Sequence, residues 1–126
     1  MTNHLLDTNI LILRLRRERQ IEDLMNQLTR AGLVYISTIT RAETLVGMRP
    51  QQEQPTLALL DSLTSIPADD AIADQAGRWM YQYARQGIQI SLPDALIAAT
   101  ALLNNLTFAT TNFKHFPMPD LRLRPV

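Results

Sequence analysis

The stretch His4-Leu5-Leu6-Asp7-Thr8-Asn9-Ile10-Leu11-Ile12-Leu13 decides the fold. Its opening reads as a short buried strand that ends in an acid. Asp7-Thr8-Asn9 then offers side chains that cap a helix, and Ile10 to Leu13 begin that helix. A strand that runs straight into a capped helix is the first half of a βα unit, and the rest of the chain keeps that alternation. A second helix is predicted over Gln20 to Arg30, with Ile21, Leu24, Met25 and Leu28 at helical spacing and Gly32 at its end. Leu33-Val34-Tyr35-Ile36 reads as a strand stopped by Ser37-Thr38, with a helix from Thr38 to Met48. Leu57 to Leu63 is helical, and Ser65-Ile66-Pro67 is a brief edge strand. Asp69-Asp70 opens a long helix through Trp79 and Tyr83 to Gly87. Leu92-Pro93-Asp94 opens another, almost wholly apolar, over Ala95 to Leu103. Leu106-Thr107-Phe108-Ala109 is a strand running into Thr110-Thr111-Asn112, and Leu121-Arg122-Leu123 supplies a last short one. Pro50, Pro55, Pro67 and Pro93 read as loop markers. Short apolar strands alternating with helices predict a parallel sheet covered on both faces. Ligands of such sheets bind beyond the carboxyl ends of the strands, so the polar residues there carry the functional reading.

Composition bounds the chemistry. The chain has 126 residues, 46% of them hydrophobic and 19% charged, which suits a single domain over 1–126 with a real core. Cysteine is absent, which excludes disulfides, thiolate metal sites and a cysteine nucleophile. Two histidines, His4 and His115, are too few for a histidine-built metal cage. No apolar run reaches the roughly 20 residues of a membrane span. The N-terminus lacks the features of a signal peptide, so the expectation is a cytoplasmic protein with no membrane partner. Twelve basic residues balance twelve acidic ones, so net charge gives no argument for a polyanionic ligand. Lys114 is the only lysine. A basic complement made of arginine suits RNA, and equally reflects a preference for arginine codons.

Three carboxylates stand where an α/β sheet gathers ligands. Asp7 closes the first strand, where it either caps the following helix or presents a partly desolvated carboxylate. Glu43 follows Thr40 by three residues, as in a capping box. It also falls on the apolar stripe with Ile39 and Val46, where an acid is costly unless paired or bound to a cation. Asp94 follows Ser91 by three, again as in a capping box, and its helix dipole favours an acid there without any chemistry. Together, at one end of the sheet, the three make an all-oxygen set that selects hard cations such as Mg²⁺ or Mn²⁺.

Four segments in this order and spacing resemble PIN-domain ribonucleases, and among them the VapC-like toxins of type II toxin–antitoxin pairs. They are Leu5-Leu6-Asp7-Thr8-Asn9, Thr40-Arg41-Ala42-Glu43, Pro93-Asp94-Ala95-Leu96-Ile97-Ala98-Ala99-Thr100, and Thr110-Thr111-Asn112-Phe113-Lys114-His115-Phe116. The resemblance runs nearly end to end. It implies a three-layer α/β/α fold with a mainly parallel four- or five-stranded sheet. It also implies hydrolysis of RNA phosphodiester bonds, in a structured RNA such as tRNA, by a Mg²⁺- or Mn²⁺-dependent endoribonuclease. By resemblance Asp7, Glu43 and Asp94 are catalytic and hold the metal, and Thr110 hydrogen-bonds to the acids. Asn112 stands where the family often has a fourth acid, which weakens the case for a second tightly held ion. The family also implies a cognate VapB-like antitoxin seated on the N-terminal helices, and protomers that pair into dimers.

Other residues carry weaker readings. Arg14, Arg16 and Arg17, with Arg19 behind them, form either a solvated helix end or RNA phosphate contacts. Ser37 either caps a helix or supports the acidic cluster. Asp69 and Asp70 read as caps, and His4 as a strand residue with its hydrogen bond satisfied. Trp79, Tyr81 and Tyr83 read as core or interface rather than base-stacking groups, and His115 reads as a surface loop histidine or as one that contacts RNA. Two competing functions remain. One is a catalytically impaired PIN-like module that binds RNA or protein, which Asn112 keeps open. The other is a flavodoxin-like phosphoacceptor, which lacks the acid pair it needs after the first strand.

Overall fold

The computed structural model describes all residues from Met1 to Val126. Five strands form one sheet: β1 (His4–Leu6), β2 (Val34–Ser37), β3 (Thr64–Ile66), β4 (Thr107–Thr110) and β5 (Leu123–Pro125). Every pairing is parallel, and the order is β3-β2-β1-β4-β5. Six helices connect them: α1 (Thr8–Leu15), α2 (Arg19–Ala31), α3 (Thr38–Val46), α4 (Glu53–Asp61), α5 (Asp70–Ala84) and α6 (Leu92–Leu103). The order differs from the flavodoxin-like 2-1-3-4-5 arrangement, which removes the phosphoacceptor reading.

The central strand shows why the sheet needs two helical layers. Successive side chains of a strand point to opposite faces. Leu5 enters a core with Phe108, Ile97 and Trp79, built by α5 and α6. Leu6 enters a second core with Ile36, Ala109, Ile10 and Leu24, built by α1 and α2. Both leucines are fully buried, as the unbroken apolar run demands. Alanines 95, 98, 99 and 101 of α6 have no exposed surface, so this helix lies close against its neighbours. That closeness brings its first turn to the strand ends.

Several element readings need correction. Pro50, Pro55 and Pro93 do not mark loops. Pro50 opens a 3₁₀ turn over Pro50–Gln52, and Pro93 sits in the first turn of α6. Pro55 is in the first turn of α4, whose start therefore lies at Glu53 rather than Leu57. A missing N–H costs nothing in a first turn, where that donor has no helical partner. The last strand is Leu123–Pro125, two residues later than the Leu-Arg-Leu pattern suggests. His4 is buried on β1, but its Nδ1 has no hydrogen-bond partner. Burial, with the Arg124 charge adding to it, holds its imidazole below the usual pKa.

Candidate active site

The chain leaves β1 to build one side of the sheet through β2 and β3, then returns to lay β4 on the other side of β1. Connections depart in opposite directions at that point, and a crevice opens at the carboxyl ends of β1 and β4. Asp7 and Thr110 stand at its two lips. The backbone N–H of Asp7 donates to the Ala109 carbonyl at 2.9 Å, which continues the ladder to the acid itself. Asn9 Nδ2 donates to Thr111 Oγ1 at 2.7 Å and fastens the first turn of α1 to the exit of β4.

Asp7 is 5% exposed, and both of its carboxylate oxygens are held. Oδ1 accepts from the Thr8 N–H at 2.8 Å, and Oδ2 accepts from the Thr110 hydroxyl at 2.7 Å. Thus Asp7 caps α1 and faces the crevice at once; the two sequence readings describe one side chain. Burial pushes its pKa above the ordinary carboxylate value. The hydrogen bonds from Thr110 and Thr8 oppose that shift, and the neighbouring charges of Asp94 and Glu43 add to it.

Glu43 and Asp94 line the same cleft as Asp7, together with Thr8, Asn9, Ile12 and Asn112, around a volume of about 390 Å³. The three acids predicted from remote parts of the chain therefore face one space. Glu43 is not part of a capping box with Thr40. The cap of α3 is Ser37, whose Oγ accepts from the Ile39 N–H at 3.0 Å, and Thr40 lies inside the helix. Glu43 is instead gripped by Thr8, whose hydroxyl donates to Oε1 at 2.7 Å. The Thr40 hydroxyl stands 2.9 Å behind that of Thr8. Asp94 rides on the first turn of α6, where Ser91 Oγ accepts its N–H at 3.3 Å.

No lysine or arginine neutralises this cluster. The only ion pair in the protein is Arg41 to Asp61, on the surface. Three carboxylates and Asn112 line the cleft as oxygen donors with excess negative charge, a set that could hold a hard divalent cation. The side chains surround an open cleft rather than a closed cage, since no three of them stand together as an ion's ligands.

The remaining predicted residues separate. Thr110 is fully buried and also accepts the Asn112 N–H at 3.0 Å, which positions that residue at the cleft. Ser37 is buried with its hydroxyl committed to capping α3, and it does not line the cleft. Arg14 and Arg17 line a cavity against α4, away from the acids, whereas Arg16 lines a groove that shares Ile12 with the acidic cleft. Trp79 and Tyr83 are core residues, and Tyr81 carries Arg85 over its ring at 4.9 Å on the outer face of α5. Thr8, Asn9 and Thr40 are the residues that sequence reasoning missed as organisers of the site. The sign available for Thr8 and Asn9 was their place directly after the strand acid.

Comparison with known proteins agrees with this architecture. The PIN domain family model matches residues 4–117. Ribonuclease VapC10 of Mycobacterium tuberculosis is 39% identical over 121 residues, covering 96% of this chain and 90% of that protein. Ribonuclease VapC19 of the same organism is 33% identical over 120 residues, covering 94% and 96%. Among solved structures, VapBC-1 from nontypeable Haemophilus influenzae superposes with a TM-score of 0.82 at 28% identity, covering 98% of each chain. A toxin–antitoxin complex from Klebsiella pneumoniae does so with a TM-score of 0.74 at 34% identity, covering 94% of each.

Proposed function

The chain belongs to the PIN-domain family, and from that membership and its acidic cleft we propose that it is a Mg²⁺- or Mn²⁺-dependent endoribonuclease toxin. The observation that carries the reading is the convergence of Asp7, Glu43 and Asp94 on one cleft with no basic side chain to pair them. Relatives of similar length are named ribonucleases, and they support the substrate class.

Asp7, Glu43 and Asp94 would hold the divalent ion, with the Asn112 amide oxygen available as a neutral donor. The ion would supply charge neutralisation at the scissile phosphate and a lowered pKa for an attacking water. The chain's own groups do the rest. Thr110 and the Thr8 N–H fix both oxygens of Asp7, so that its free lone pairs face the cleft. Thr8 fixes one oxygen of Glu43 and leaves the other for substrate or solvent. A cleft carboxylate takes the proton as water attacks phosphorus. The P–O3′ bond breaks, and the departing 3′ oxygen takes a proton from solvent, leaving a 5′-phosphate and a 3′-hydroxyl.

Two further parts of the proposal concern partners. The superposing chains from Klebsiella pneumoniae and Haemophilus influenzae come from a toxin–antitoxin complex and a VapBC assembly, which supports a cognate VapB-like antitoxin for this chain. Pairing of protomers into a dimer belongs to the same reading. No helix is long and apolar enough to cross a membrane.

The test is cleavage of an RNA pool with Mg²⁺ or Mn²⁺ by the wild type and by Asp94→Asn. Asp94 is half-buried in a first helical turn, where the amide fits without steric change. The variant is expected to keep its circular dichroism spectrum and lose activity by at least about a hundredfold, the scale of removing a principal charge-stabilising group. Wild-type activity in Asp94→Asn overturns the assignment.

A further inference from the structure

The acidic cleft is the middle of a longer feature. On one side it shares Ile12 with a groove of about 410 Å³ that is lined by Arg16 and Arg49. On the other side it shares Asp94 with a groove of about 380 Å³ that is lined by Lys114, His115 and Gln89. The charge order along these three spaces is therefore cation, carboxylate, cation. None of the flanking cations is spent inside the protein, because Arg16, Arg49 and Lys114 form no ion pair and their side chains donate no hydrogen bond. The only lysine of the chain stands at one end.

We propose that a single-stranded RNA segment lies along this track, with Arg16 and Arg49 holding backbone phosphates on one side of the scissile bond and Lys114 on the other. This rests on the nuclease reading and deepens it by naming the strand's path. Evenly spaced phosphates suit cations at both ends, provided the central phosphate shares an ion with the carboxylates. The fold holds the ends in place. Arg16 caps the C-terminus of α1, whose eight residues start at the acids and span about 12 Å. That distance corresponds to about three or four stacked nucleotides.

Lys114 sits on the 3₁₀ turn Phe113–His115, which follows directly on Asn112 at the cleft. Phe116 anchors the turn, with its ring edge-on to Phe108 of β4 at 4.9 Å. Phe113, next to the cleft residue, is left 39% exposed. An exposed ring between a cleft amide and a phosphate-binding lysine is a stacking platform for one base. Bases can stack on it only when unpaired, which selects a single-stranded segment.

The test measures binding of a fluorescein-labelled, mixed-sequence twelve-nucleotide RNA to the full chain by anisotropy, in EDTA and over a salt series. Cleavage with Mn²⁺ is followed in parallel. The Arg16→Gln/Arg49→Gln double variant is expected to weaken binding and to reduce the salt slope by about 1.4, and Lys114→Gln by about 0.7, for two contacts and one. Phe113→Ala is expected to weaken binding about fivefold or more while leaving the slope unchanged, since stacking releases no counterions. Lys114→Arg restores the slope, which separates charge from folding defects. If Mn²⁺ supports no cleavage but the wild type binds with this dependence, the nuclease reading fails and the track stands. Cleavage by the wild type with unchanged affinity and slope in the Gln variants and in Phe113→Ala overturns the track alone. The same follows if Arg14→Gln/Arg17→Gln, which face α4, weaken binding as much as the Arg16/Arg49 pair. A wild type that does not bind the RNA also overturns it.

Discussion

Replacing Thr110 by Val keeps the side-chain shape and removes one buried hydroxyl from behind the cleft. That hydroxyl has no exposed surface, donates to Asp7 Oδ2 at 2.7 Å and accepts the Asn112 N–H at 3.0 Å. A hydrogen bond to a buried ionised group is worth about 1.5–3 kcal/mol, and the bond from Asn112 about 0.5–1.5. Asn112 is exposed and can turn to water, so the expected loss lies near 2–4 kcal/mol at neutral pH. For a chain of 126 residues, 1 kcal/mol is about 4 °C, which places the fall in Tm near 8–16 °C. The pH dependence is the sharper part. The Asp7 pKa is already raised in the fold, so its ionisation destabilises the native state, and stability is lost as pH rises through the folded pKa. Thr110 opposes that shift. Without it the pKa rises further, and the gap between wild type and variant is widest where Asp7 is charged. Urea unfolding from pH 4 to pH 8 reads this directly: the gap should narrow toward acid as Asp7 takes up its proton. A double-mutant cycle with Asp7→Asn should show a coupling above about 1 kcal/mol. A variant as stable as wild type at pH 7, or a gap that widens in acid, refutes the reasoning.

Other consequences are open to simpler assays. Excess Mn²⁺ should raise the wild-type Tm by about 10 °C at a hundred times its Kd, and Asp94→Asn much less, in a thermal melt with EDTA as control. Thr8→Val frees Glu43 from the hydroxyl that holds it at 2.7 Å; steady-state cleavage should show kcat down about tenfold with KM little changed. Gly32→Ala should destabilise by about 1–3 kcal/mol in urea, because a Cβ there would stand 2.4 Å from the Thr2 carbonyl oxygen.

The fold was legible where one physical rule acted alone. Leu5 and Leu6 are buried on opposite faces of a central strand, as an unbroken apolar run in a covered parallel sheet leads one to expect. Ile21, Leu24 and Leu28 fall on one face of α2 and are all buried, as their spacing requires. Reading failed where two rules competed. Proline breaks a helix interior but opens a first turn, and local sequence does not say which applies at Pro55. The last strand is placed by its ladder to β4, a contact made across the molecule, so Leu121 looks like strand sequence yet lies outside it.

The same distinction explains the site. Each acid had a capping interpretation of similar weight, and the structure keeps part of it: Asp7 caps α1, and Asp94 sits behind the cap Ser91. Capping and function coincide because one geometric event produces both. At the point where a parallel sheet reverses its order, helix N-termini and strand ends meet, so an acid that caps a helix there also faces the crevice. What no local pattern could supply is the bridge from Thr8 to Glu43, which joins residues 35 apart in sequence. That bridge takes one lone pair of Glu43 and leaves an open three-acid cleft. A preformed cage would have to gather three charges with no cation present. Burial and the acidic neighbours already disfavour the charged form of Asp7 and raise its proton affinity. Spreading Glu43 and Asp94 around an open space limits that cost, and under the proposed nuclease function a bound divalent ion would offset it.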